Sequence, residues 1–269
     1  VKRVIFFIIS CVLTINYAYA KSECDEILEQ VNPKKKLREL FIVVDQTTPF
    51  PEEVRKNALR NIYSTIQGNT AISLFTFSEY TKEKYVSFVD HYYIPGQISA
   101  EKRADMGQKL LKKFDQCLEV QTYGMKQKLA HDIYKQLSEE NSSAKNSEIL
   151  FSLQEISKQA VKISNAKEKI VFVLSDMLEN SSYTTFYGKA LTNLDIEKQI
   201  GIVKQNHLLG DFDHAKIFVY GAGIVDKENR RTGEDLRQLK RFWEAYFQAS
   251  SGQLKVFGLD GIYQANEYL

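Results

Sequence analysis

Two apolar runs of one design dominate the pattern of hydrophobic and polar positions. Leu40-Phe41-Ile42-Val43-Val44 ends in Asp45 and then Gln46-Thr47-Thr48, and Ile170-Val171-Phe172-Val173-Leu174 ends in Ser175-Asp176. Unbroken Val, Ile, Phe and Leu runs read as strands buried on both faces, as in a parallel sheet covered by helices. Ligands of such sheets collect outside the carboxyl ends of the strands, where the winding order reverses. Asp45 and Asp176 both fall at that edge. One such acid alone reads as a turn residue or a helix cap. Two of them, at the ends of two buried strands, point to a shared site.

The rest of the pattern fills in an α/β chain. Residues 23–30 form a short helical lead-in, and Asn32-Pro33-Lys34-Lys35-Lys36 is a solvated connector. After the first strand, Pro51-Glu52-Glu53 marks a helix start. Val54, Ala58, Leu59, Ile62 and Ile66 then recur at helical spacing. Residues 71–77 and 84–89 are the second and third strands, and so short a link makes them antiparallel. From about residue 99 to 140 the chain reads as an inserted helical segment. One helix is marked by Leu110, Leu111, Phe114 and Leu118, and a second spans 125–137. A further helix begins near Ser147, which caps it, with Ile149, Leu150, Leu153, Ile156, Ala160 and Ile163 on its apolar side. Residues 178–194 are rich in Ser, Thr, Asn and Tyr and read as an irregular loop over the same sheet edge. A helix over 195–206, a strand over 216–220 closed by Gly221-Ala222-Gly223, an aromatic helix and a strand over 254–257 complete the order. Leu236, Leu239, Phe242, Trp243, Tyr246 and Phe247 make that aromatic helix the most amphipathic in the chain. Its face reads as core, with any exposed part available to a partner. The fold class is therefore α/β: a mostly parallel central sheet with one antiparallel edge strand and helices on both faces.

The start of the chain changes the picture of where it works. Val1-Lys2-Arg3, an apolar run over 4–13 and Tyr17-Ala18-Tyr19-Ala20 have the form of a secretory signal peptide cleaved after Ala20. The run is short for a membrane span, so no span is expected after cleavage. The reading is a periplasmic or secreted protein. The chain carries 36 Lys and Arg against 34 Asp and Glu, and loss of Lys2 and Arg3 brings the two into balance. That balance argues against nucleic acid, whose binding rests on clustered cations. Hydrophobic residues make up 43%, ordinary for a globular core. Beyond the leader two cysteines remain, Cys24 and Cys117. In an oxidising compartment they either form one disulfide or stay as two separate buried thiols.

Asp45, Thr47, Ser147 and Asp176 are a hard-ligand set of two carboxylates and two hydroxyls. Mg²⁺ takes near-octahedral oxygen and usually keeps waters, so a few protein ligands suffice and a partner's carboxylate can fill an open position. Other candidates are weaker. His91, His131, His207 and His214 lack metal-ligand spacing, and Asp211-Phe212-Asp213-His214 reads as a solvated loop. Gly221-Ala222-Gly223 lacks the third glycine and later acid of a dinucleotide site and reads as a turn.

These residues resemble the von Willebrand factor A-type domain, the three-layer Rossmann-like fold shared with integrin I-domains. That family carries Asp-x-Ser-x-Ser after the first strand, matched here by Asp45 and Thr47, with Pro49 at the last position. Its middle Thr opens a helix with the spacing of Ser147, Ile149, Ser152 and Leu153. Its fourth-strand Asp matches Asp176, with Met177 where Gly is usual. More narrowly, residues 147–150, 175–181 and 241–247 resemble exported bacterial A-domain-like proteins without assigned activity. The resemblance covers most of 38–258 and is what brings the ligand set together. It implies a metal-ion-dependent adhesion site of degenerate form, with Mg²⁺ held by Asp45, Thr47, Ser147 and Asp176. It also implies a protein partner at the surface of Thr48, Glu179, Asn180 and Tyr183.

The expected organisation is a signal peptide over 1–20, a lead-in over 21–37, and one A-type domain over 38–269 with a helical insertion at about 99–140. The expected function is an exported protein-binding module for adhesion or assembly. Two alternatives stand beside it: a Mg²⁺-dependent hydrolase of phosphate esters with Asp45 as nucleophile, and a metal-free envelope scaffold.

Overall fold

The computed structural model describes residues 23–81, 84–139, 146–187, 191, 193–226, 231 and 233–258. The leader over 1–20 lies outside them. A helix at 23–31 (α1) leads into β1 (Arg38–Asp45), α2 (Glu52–Thr65), β2 (Thr70–Thr81) and β3 (Lys84–Ile94). Then follow α3 (Ala100–Asp105), α4 (Gln108–Ser138), α5 (Ile149–Ile156), β4 (Glu168–Leu174), α6 (Ile196–Gln205), β5 (Lys216–Tyr220), α7 (Gly233–Ala249) and β6 (Gln253–Gly258). The strands form a six-stranded sheet in the order β3-β2-β1-β4-β5-β6. Every pairing is parallel except β2 with β3, so the expected antiparallel edge strand is present.

Alternate residues of the apolar runs go to opposite faces of the sheet, which is why the runs are continuous. Phe41, Val43, Val171, Val173, Ile217 and Val219 pack with α5, α6 and α7. Leu40, Ile42, Val44, Ile170, Phe172 and Leu174 pack with α2 and α4. The aromatic face of α7 is spent wholly inside: Leu239, Phe242, Trp243, Tyr246 and Phe247 are all buried. Edge-to-face contacts link Trp243 to Phe242 and Tyr246 at 5.1 and 5.3 Å between ring centres. Leu236, at the start of that face, is half-buried and packs against the same core.

Three local features depart from the sequence expectation. The two helices expected over 110–137 are one, α4, of 31 residues. It runs through the exposed Gly124, where a side chain would meet nothing, so the glycine is tolerated rather than a break. Leu129, Ile133 and Leu137 of α4 join the core, where α4 packs against β1, β3 and α2. The helix expected to start at Ser147 starts at Ile149, and Ser147 instead bridges to Asn180. A π-helical turn over Ser157–Val161 follows α5 and advances the phase of the helix. It buries Val161 and turns Ile163 out to 74% exposure, although helical spacing placed Ile163 on the apolar side.

At the amino edge of the sheet α1 lies against α4. Cys24 and Cys117 are bonded there, with Cα atoms 5.1 Å apart. Leu28, Val31, Ile98, Phe114 and Leu118 form a small cluster around the bridge.

Candidate functional site

The strand order reverses between β1 and β4, which are direct neighbours with Val44 opposite Leu174. Their carboxyl ends therefore mark the position at which α/β sheets hold ligands. Asp45 closes β1 there. Its Oδ1 accepts from the backbone N–H of Thr47 at 2.8 Å and from the Thr47 hydroxyl at 2.6 Å. Its Oδ2 accepts from the Ser175 hydroxyl at 2.7 Å. A short acid followed two residues on by its own donor is an Asx-type turn, and it fixes the carboxylate to the strand end.

Asp176 is held by the turn after β4. Its Oδ1 accepts from the backbone of Leu178 at 2.7 Å, and its Oδ2 accepts from the Tyr187 hydroxyl at 2.6 Å. Its own N–H donates to the Thr48 hydroxyl at 3.0 Å. Its carbonyl accepts from Gly223 N–H at 2.7 Å, so the turn after β5 supports the same segment. Gly221 in that turn has φ 99°, and a Cβ there would come within 2.6 Å of the Phe50 ring. Glycine is required on both counts. The neighbouring Met177 takes φ 59° with its side chain fully buried, and its carbonyl accepts from Trp243 Nε1 at 2.9 Å.

Ser147 completes the cluster from a third direction. Ser147 Oγ lies 3.1 Å from Thr47 Oγ1 and donates to it, since the single Thr47 proton is committed to Asp45. Ser147 and Asn180 exchange both backbone hydrogen bonds at 3.0 Å, which fixes the entry to α5 beside the loop after β4. The cap of α5 comes from far away in sequence: Glu179 Oε2 accepts from Leu150 N–H at 2.9 Å. A buried carboxylate at a helix N-terminus satisfies an otherwise orphaned donor there.

Burial dominates the electrostatics. Asp45 and Asp176 are both buried, and desolvation raises both carboxyls above the ordinary range. The charge of Asp45 raises Asp176 further, while hydrogen bonds from Thr47 and Ser175 oppose the rise at Asp45. Burial pushes Glu179 up to about 8 and raises the Tyr187 hydroxyl, the latter reinforced by Asp176. Among the described residues, no Lys or Arg makes an ion pair with Asp45 or Asp176. Two adjacent carboxylates in low dielectric strongly favour whatever neutralises one of them, a proton or a cation.

The structure thus brings together Asp45, Thr47, Ser147 and Asp176. Thr48 joins them, its hydroxyl against both the Asp45 carboxylate and the Asp176 backbone. Glu179 and Asn180 lie just behind Ser147, buried and half-buried. Tyr183 stands apart on the loop, 42% exposed. Sequence reasoning missed Ser175 and Trp243 as parts of the site and had Tyr187 only as a member of the loop over this sheet edge. Ser175 directly precedes Asp176 and could have been read as a donor; the other two reach it only through the fold. Asp211 and Asp213 are held by Lys162 and Lys169 at 2.6 and 2.5 Å, so that loop is an ion-paired corner.

Among the described residues no three His, Cys, Asp or Glu side chains gather to hold a metal ion. A cation would depend on the two carboxylates together with hydroxyls. The donor set fits a hard divalent cation on that basis, since each carboxylate oxygen can accept more than one partner.

No protein-family model matches the chain, and no curated protein matches it. Among solved structures, the pilus adhesin SpaC from Lactobacillus rhamnosus GG in an open conformation is similar at 12% identity and a TM-score of 0.41. That match covers 82% of this chain and 28% of the adhesin. Another crystal form of the same adhesin gives 11% identity and a TM-score of 0.44, over 87% of this chain and 29% of the other. The chain thus spans under a third of the adhesin's length. Among the described residues no helix is long and apolar enough to cross a membrane.

Proposed function

We propose that this chain is an exported protein-binding module whose contact surface is the carboxyl edge of the sheet, around a divalent-cation site of degenerate form. The observation that carries the reading is the buried pair Asp45 and Asp176 at the strand-order reversal, surrounded by hydroxyls and without an ion-pair partner among the described residues. Asp45, Thr47, Ser147 and Asp176 would hold the ion, and a bound Mg²⁺ would supply neutralising charge and an open position for a carboxylate from outside. The half-buried Thr47 and Tyr187 form the approach from solvent. Thr48 would take over part of the duty of the motif position held by Pro49, since its hydroxyl lies against both acids' segments. Export rests on the basic start, short apolar run and Ala-x-Ala end of residues 1–20.

The test is a calorimetric titration of Mg²⁺ and Mn²⁺ into the protein and into Asp45→Asn. The expected result is saturable binding with a dissociation constant below about 1 mM, a free energy of about −4.1 kcal/mol, absent in the variant. Absence of binding by the parent protein overturns the metal site and leaves the two carboxyls to share protons.

A further inference from the structure

A second concavity lies beside this site, and its chemistry is different. The irregular loop after β4 and the start of α6 enclose an open cleft of about 480 Å³ lined by Ser181, Tyr183, Thr184, Thr185, Asn193 and Gln199, among others. We propose that this cleft binds a neutral polyhydroxylated ligand, a saccharide unit of a larger glycan.

The lining decides the class of ligand. No charged side chain lines the cleft among the described residues, so an anion or cation would be desolvated there without a countercharge. The groups present are hydroxyls and carboxamides, each able to donate and accept, which is the complement of a ring of hydroxyls. They are held loosely. Ser181 Oγ makes long contacts, 3.5 Å to the Thr184 carbonyl and 3.3 Å from the Tyr183 N–H, and also faces the Glu179 carboxyl. Gln199 Oε1 is buried without a hydrogen-bond partner among the described residues, an acceptor left open beside the cleft. Tyr183 is 42% exposed on the loop and lines the cleft, an aromatic side chain of the kind that packs on the C–H side of a sugar.

An extended peptide fits less well, because several main-chain groups of this loop's described residues are already paired. Ser181 N–H donates to Thr184 O at 2.9 Å, Phe186 N–H to Glu179 O at 2.8 Å, and Leu194 N–H to Leu191 O at 2.9 Å. Strand addition needs free main-chain groups, and recognition here falls to side chains. The cleft size lies within the range of small-molecule sites, roughly 300–1,000 Å³. The proposal stands apart from the cation site, since none of these residues touches Asp45 or Asp176 through a hydrogen bond given above.

The experiment is saturation-transfer NMR on the whole chain with glucose, galactose, mannose and N-acetylglucosamine as probes, and a neutral Ser/Thr-rich peptide as the competing class. At least one sugar is expected to show saturable transfer, weakened about tenfold or more, near 1.4 kcal/mol, in both Tyr183→Ala and Gln199→Ala. Equal thermal midpoints for parent and variants show that the loss is local. The signal is expected to survive EDTA and Asp45→Asn, so a failed metal site and a failed cleft give different results. No transfer to any sugar, transfer unchanged in both variants, or transfer to the peptide alone overturns the proposal.

Discussion

Trp243 Nε1 donates to the carbonyl of Met177 at 2.9 Å, across 66 residues of sequence. The bond joins the buried face of α7 to the turn that carries Asp176, so the aromatic helix is a strut for the site. Met177 sits in the left-handed region, which non-glycine residues occupy at a cost. The tryptophan is one of the contacts that hold it there.

Trp243→Phe keeps most of the ring packing and removes that donor. The buried Met177 carbonyl is then unsatisfied, which costs about 1–3 kcal/mol. Urea unfolding followed by far-UV circular dichroism should show this loss, since Trp243 is the only tryptophan and the variant has no indole signal. Any Mg²⁺ affinity of the protein should weaken in the same variant, because the Asp176 turn loosens.

Met177→Gly sets two effects against each other. Glycine removes the left-handed penalty of roughly 1–2 kcal/mol. It also empties a fully buried site, and loss of a core methionine side chain costs about 2–5 kcal/mol. The cavity wins, so the variant is expected to be less stable than the parent by denaturant melts. An increase in stability would show that strain at this turn is larger than the packing it sustains.

The pH dependence has a definite sign. Glu179 keeps its proton in the folded protein up to about 8, against an ordinary value of 4.5. Its contribution is therefore fully present below about 4.5 and is lost as pH rises toward 8. The raised carboxyls of Asp45 and Asp176 act in the same direction. Glu179→Gln still offers a carbonyl oxygen to Leu150 N–H and cannot ionise. Thermal melts in chelator should show the variant losing less stability than the parent between pH 5 and about 8.5, with equal or greater stability at the alkaline end.

The Cys24–Cys117 bond spans 93 residues and encloses β1, β2 and β3. Loops of this length give disulfides worth about 2–4 kcal/mol or somewhat more. The double variant Cys24→Ser, Cys117→Ser should lose that amount in equilibrium unfolding. Reductant should lower the stability of the parent and leave the double variant unchanged.

Much of the framework was legible because burial on both faces forces continuous apolar runs. Leu40 to Val44 and Ile170 to Leu174 announced β1 and β4, and the acids after them fell at the strand-order reversal. The hydroxyl at Thr47 was legible for the same local reason. What local pattern could not carry was long-range pairing. Ser147 has the chemistry of a helix cap, yet its backbone is claimed by Asn180 and the cap is supplied by Glu179. The π turn after α5 moved Ile163 to the surface without any change in the spacing of hydrophobic residues that could have signalled it. Tyr187 closes over Asp176 through a loop whose composition says only that it is polar.

The placement of the disulfide gives the molecule two poles. Ile94, at the end of β3, pairs with Thr70 at the start of β2, so the cluster around Cys24 and Cys117 lies at the amino edge of the sheet. Asp45 lies at the carboxyl edge, and β1 between them, eight residues long, spans about 26 Å at roughly 3.3 Å per residue. Helix α1 is riveted to the amino pole by that bridge. A pull on α1 would load the covalent bond and α4 first, at the pole opposite Asp45 and Asp176.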